Sequence, residues 1–302
     1  MTHYQTIQEN KTKSLVIISL FITFIVSATY IMARGLGYGL DIVGIALIIS
    51  GLTSFFSYYY SDKIILGISG AREAKRTEFF DFYTVTENLC IASGLPQPKL
   101  YVIDDTAMNA FATGRDPQHA VVCATTGLLQ RLNRSEIEAV VAHELSHVKN
   151  YDIRLMSIVT ILVGFVALLS DWMLRMTFFG GRGKRDSNNN SGQLQIIMFV
   201  IGIILAILSP IIAQLIQLAI SRRREFFADA SAVAFTKNPQ GLINALKKIS
   251  QDQEPLEVAN KATAHLYISN PLKNTHNAVG LFSKMFRTHP PVKERIAALA
   301  KL

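Results

Sequence analysis

The chain has 302 residues, half of them hydrophobic, with 30 Lys and Arg against 22 Asp and Glu for a formal net charge of +8. No stripe of aromatic and basic residues accompanies that excess, so neither nucleic acid nor a nucleotide is an expected partner. The basic residues sit beside long apolar blocks, which points instead to the anionic headgroups of a lipid bilayer.

In chain order, the first block runs from about Leu15 to Ala33 and the second from about Ile42 to Tyr60, joined by the short turn "RGLGYGLD". About 20 apolar residues cross a bilayer, so the pair reads as an uncleaved transmembrane hairpin rather than a signal peptide. A third block, Leu155 to Met176, and a fourth, Leu194 to Ile220, flank the polar stretch "GGRGKRDSNNNSGQ" and read as a second hairpin. Arg154, Asp171 and Arg175 make the third the weakest of the four. The spans carry few ionisable residues at mid-depth, which argues against a transporter.

Lys11, Lys13, Lys63, Arg72, Lys75, Arg76, Lys149, Arg154 and Arg222 to Arg224 fall on one side of this four-span arrangement. Arg34, Arg182, Lys184 and Arg185 fall on the other. The larger basic set faces the cytoplasm. The expected organisation is a transmembrane hairpin over 1–60, then a cytoplasmic catalytic part over 61–152. A second hairpin follows over 153–220, with a polar loop at 180–193, and a cytoplasmic C-terminal part covers 221–302. The fold class is α+β, mostly α, with a small sheet.

Between the hairpins, Ala71 to Ser93 has helical spacing and is stopped by "GLPQP". "KLYVID", "NAFATG" and "HAVVCATTG" read as strands. Cys90 and Cys123 show no metal-binding spacing and read as buried thiols in a reducing compartment. After the fourth block, Glu225 to Ala234, Gly241 to Ser250 and "VKERIAALAKL" read as helices.

The chemistry concentrates in "VVAHELSHVKN", Val140 to Asn150. Ser135 and Glu138 form a capping box for the run that carries it. On a helix, His143 and His147 project from one face a turn apart, where two imidazoles can share a metal. Glu144 flanks that metal and can take a proton from an attacking water. The third ligand comes from among Asp152, Glu225, Asp229, His265, His276 and His289. Chain path favours Glu225, because the second hairpin returns "SRRREFFADA" to the motif. Asp229, four residues on, shares its face and would accept the free N–H of a ligand histidine.

"HELSH", then "EFFAD" after a hydrophobic hairpin, with "NAFATG" upstream and "THPPVKERI" near the end, resembles the HtpX family of membrane zinc metallopeptidases, relatives of the CAAX prenyl proteases. The resemblance implies one zinc ion held by His143, His147 and Glu225, with Glu144 as general base. It also implies a thermolysin-like core, a catalytic site on the cytoplasmic side of a bacterial inner membrane, and a role in membrane-protein quality control under stress. The expected activity is that of a zinc metalloendopeptidase acting on unfolded or damaged membrane proteins. CAAX-type prenyl-protein processing and a non-catalytic zinc scaffold are the alternatives. Substrate must lie extended, and Asn109, Ala110, Phe111 and Ala112 form the expected strand edge for it. His289, helped by Arg295, is the candidate oxyanion donor.

Overall fold

The computed structural model describes residues 3–36, 41–162, 164, 222–259, 263, 266–269, 271 and 290–302. Most of the third apolar block, all of the fourth, the polar loop between them, His265, His276 and His289 lie outside the described residues.

Helices α1 (His3–Leu36) and α2 (Asp41–Tyr59) take up the first two apolar blocks and pack against each other. Among the described residues one helical stretch, Gln5–Ser27, is long and apolar enough to cross a membrane. A second qualifies if α2 is joined to α3 (Ser61–Ile68), which bends away from it by 82°. Leu15, Leu20, Ile45, Ile48, Leu52 and Phe55 all face outward, each more than half exposed.

Four strands follow. Strands β1 (Arg72–Glu73), β2 (Lys99–Ile103), β3 (Ala110–Thr113) and β4 (Val121–Thr125) form one mixed sheet in the order β1-β2-β4-β3. Pairing of β2 with β4 is parallel, and the two outer pairings are antiparallel. The expected helix over Ala71 to Ser93 is corrected here. Arg72 and Glu73 pair with Val102 and Tyr101, and α4 begins only at Phe80. Helix α4 (Phe80–Ser93) ends as the sequence suggests, with Gly94 in the left-handed conformation at φ 70°. The third expected strand gives way early, because Thr125 caps α5 (Thr126–Arg131) through its hydroxyl.

Alternation along the strands splits the core in two. Leu100, Val102, Ala110, Ala112, Val122 and Ala124 face one cluster, built with α4 and α6 (Arg134–Lys149). Ile103, Phe111 and Cys123 face another, built with Ile65 of α3, Leu155, Met156 and Val159 of the helical run from residue 152, and Leu256, Leu266 and Tyr267. Both faces are covered, which is why every residue of β3 and β4 is buried. Helices α7 (Arg222–Thr236), α8 (Pro239–Gln251) and α9 (Val292–Leu299) complete the first cluster around α6.

Candidate metal centre

Helix α6 carries the motif, but its cap sits two residues earlier than Ser135 and Glu138 suggest. Asn133 Oδ1 accepts from Glu136 N at 2.9 Å, and Glu136 Oε2 accepts from Asn133 N at 2.9 Å. Glu136 is further held by Lys248 Nζ at 2.7 Å from α8, a tertiary contact that favours this register. From Ala139 to Val148 every residue of α6 is buried. His143 and His147 therefore project into the protein, with ring centroids 4.8 Å apart and planes perpendicular.

Helix α7 packs across α6 and brings Glu225 in its first turn. His143 Nε2 and His147 Nε2 lie 3.3 Å apart, and Glu225 carboxylate oxygens lie 3.7 Å from the first and 3.5 Å from the second. These three residues form a buried group whose ligand atoms could hold a metal ion. Ligands at about 2.0–2.1 Å in tetrahedral array would stand roughly 3.3–3.4 Å apart, so the donor set fits such an ion.

Charge placement supports the same conclusion. His143 Nδ1 faces Asp229 Oδ1 at 2.9 Å, and His147 Nδ1 faces Asp152 Oδ2 at 3.0 Å. A carboxylate only accepts, so each Nδ1 carries hydrogen and each Nε2 presents a lone pair. The 3.3 Å approach of the two Nε2 atoms is then no hydrogen bond between neutral rings. Two lone pairs and a carboxylate converge on one point, an arrangement that calls for a cation. Burial opposes a charge on His147. With no cation to bind, the Asp152 hydrogen bond and the charges of Glu225, Asp152 and Glu144 outweigh it and push its pKa up to about 9, so a proton and a metal ion compete for the same Nε2 lone pair.

A second ring of groups orients the first. Asp229 takes a fork from Arg295, Nε at 2.9 Å and Nη2 at 2.6 Å, while Arg295 is 1% exposed. Burial disfavours the Asp229 carboxylate, but Arg295 and His143 overcome this and bring its pKa down to about 2. Asp229 thus stays ionised and fixes His143. Asp229→Ala should weaken metal affinity or activity by roughly 10- to 100-fold, and it leaves the Arg295 charge buried without its main partner. Metal titration and thermal unfolding measured together check both effects.

Glu144 lies between the histidines on α6, 2% exposed, and its charge reaches both His147 and Arg295. Asp152 stands among the sequence candidates for the third ligand, and the structure puts it behind His147 instead. The pairing of Arg295 with Asp229 has no sequence signal, because the two lie 66 positions apart. Strand β3 is an outer strand, as its composition suggests, but its edge is partly covered. Ile268 N donates to Ala110 O at 2.9 Å, and Asn109 bonds both backbone groups of Ser269.

The family model for peptidase family M48 matches residues 78–302. The chain is 45% identical to a protease HtpX homolog of Dictyoglomus turgidum, over 99% of this chain and 94% of that one. It is 40% identical to the homolog of Thermoanaerobacter pseudethanolicus, over 100% and 98% of the two. Among solved structures, S. mikatae Ste24p shares the fold with a TM-score of 0.51 at 21% identity, covering 98% of this chain and 67% of that one. With the motif helix, the converging His143, His147 and Glu225, and relatives along its whole length, the chain belongs to peptidase family M48 and is a metallopeptidase.

Proposed function

We propose that this protein is a membrane-embedded zinc endopeptidase that cleaves unfolded or damaged membrane proteins at the cytoplasmic face of a bacterial inner membrane. The observation that carries the reading is the buried convergence of His143, His147 and Glu225 beside Glu144. Two imidazoles and one carboxylate at near-tetrahedral spacing suit zinc, and three protein ligands leave a position open for substrate chemistry. When bound, the zinc acts as a Lewis acid that brings the pKa of a water down to about 7. Glu144 removes a proton from the attacking water and delivers it to the leaving amine. Asp229 and Asp152 hold the two imidazoles in the tautomer that presents Nε2.

Substrate lies extended along β3, where backbone groups of the outer strand can pair with it and the small Ala112 allows close approach. Among the described residues, Ile268 bonds the Ala110 end of that edge, and we assign the Ala112 end to substrate. The outward apolar faces of α1 and α2 are those of lipid-contacting helices. At the end of α2, Tyr58, Tyr59 and Tyr60 lie under Arg154, Arg115 and Lys63, at 5.0, 5.3 and 5.5 Å from the ring centroids. Aromatic rings with cations at the foot of an apolar helix suit a membrane interface. The excess of basic residues on the side of the metal centre supports a cytoplasmic orientation.

Two measurements test this reading. Purified full-length protein should cleave an unfolded membrane protein, lose that activity to a chelator and regain it with zinc. In intact cells, a cysteine at Ser187 should react with an impermeant reagent, while one at Ile91, which is 82% exposed, should react only after permeabilisation. Equal labelling of both from outside would remove the two-hairpin arrangement.

A further inference from the structure

Asn10 sits on α1, the helix with the span-length apolar stretch, yet it is 1% exposed. With Thr6 and Ser14 it forms a buried polar stripe, at i, i+4 and i+8, on a stretch of α1 whose other polar residues, Gln5, Gln8, Glu9, Lys11, Thr12 and Lys13, are exposed. Its Nδ2 donates to Asn150 O at 2.9 Å and to Asp152 Oδ1 at 2.7 Å. The second contact joins residues 142 positions apart. Asp152 Oδ2 in turn accepts from His147 Nδ1 at 3.0 Å. One carboxylate, that of Asp152, therefore separates Asn10 from a candidate metal ligand.

The turn it holds needs holding. Tyr151 has φ 60°, a left-handed conformation that residues with a side chain adopt at a cost. That turn ends α6 and sends the chain into the next helical run, and it folds Asp152 back toward His147. Helix α1 clamps it twice, through Asn10 on the Asn150 carbonyl and through Lys11, whose Nζ lies 4.6 Å from the Tyr151 ring centroid. Arg224 of α7 reaches the same Asp152 oxygen at 3.4 Å. With Oδ1 engaged from two sides, the carboxylate cannot rotate freely, and Oδ2 stays on the histidine. An amide packed only for helix association would have no reason to end on this carboxylate, and an unsatisfied one would be costly to bury.

We infer that Asn10 is a positioning residue of the metal centre: it fixes the Asp152 carboxylate so that His147 keeps Nε2 aimed into the site, which makes α1 part of the centre's support. This rests on His147 being a metal ligand. The partners of ligand histidines govern metal affinity and ligand orientation, and Asn10 acts on one such partner.

The test uses full-length protein in lipid nanodiscs. Zinc affinity is read by chelator competition, ligand geometry by the visible absorption of the cobalt-substituted form, and cleavage by kcat and KM separately. Asn10→Ala should lower zinc affinity about three- to tenfold, below the range of a direct ligand partner. It should also shift the cobalt bands and reduce kcat more than it changes KM. Asp152→Asn should have the larger effect, and Asn10→Ala added to it should change nothing further. If Asn10→Ala does not fold, Asn10→Ser takes its place. A serine there can bond back to its own helix, as Ser14 does with the Asn10 carbonyl at 2.8 Å, and it is too short to span both acceptors. Wild-type cobalt bands and zinc affinity in the folded variant, or additive effects in the double variant, would overturn the proposal. Failure of the wild type to bind either metal would overturn the metal-centre reading itself, and that result is visible before any variant is made.

Discussion

Glu144→Gln should lower peptide cleavage about 10²- to 10⁴-fold, the range a positioned general base contributes, while zinc stays at one ion per chain. The substitution keeps the size of a side chain that is 2% exposed, so packing in the centre of α6 is preserved. What is lost is the ability to hold a proton between its removal from water and its delivery to the amine. The coordinating atoms of His143, His147 and Glu225 are untouched. Metal analysis and cleavage kinetics on the same preparation check this. Zinc lost together with activity would make Glu144 a ligand and undo the assignment of roles.

Glu225→Ala should release the metal. It removes the only carboxylate of the three converging groups and leaves two imidazoles whose lone pairs face each other at 3.3 Å. Zinc should then be lost on dialysis against a chelator, with activity falling to background. Glu225 Oε2 also lies 3.8 Å from Arg295 Nη1, so the variant shifts more of that buried charge onto Asp229. Glu225→His should restore part of the binding, because imidazole is also a zinc ligand, but with altered geometry and little activity. Retention of full zinc by Glu225→Ala and its loss in Asp229→Ala would exchange the two roles and overturn the register assigned to α7.

The motif histidines were legible in the sequence for a local reason, as was the shared face of Glu225 and Asp229, whereas the return of Glu225 to α6 was read from the chain path. Each pair is spaced four apart on one helix, and helical geometry then decides which face they share. The residues behind them were legible only in part. Asp152 belongs to the sequence candidates, but its position depends on the left-handed Tyr151, and no local preference predicts a tyrosine there. Arg295 reaches Asp229 through packing of α9 against α7, which periodicity does not encode. The cap of α6 shows how two local signals compete. Asn133 with Glu136 and Ser135 with Glu138 are overlapping boxes, and the Lys248 contact of Glu136 favours the first. In the same way, β1 exists because Arg72 and Glu73 find β2, against a helical pattern that would have absorbed them.

The sheet's second face has a practical consequence for handling the protein. Ile103, Phe111 and Cys123 are roofed by Leu155, Met156 and Val159, which belong to the helical run entering the third apolar block, and by Ile65 just beyond the second. A fragment trimmed of its apolar segments to obtain a water-soluble enzyme would strip that roof. Each large side chain uncovered forfeits about 1.5–3 kcal/mol of burial, and a bare apolar sheet face beside outer strands is a template for aggregation. The catalytic half therefore depends on the apolar segments for its own core, and expression should keep the chain whole.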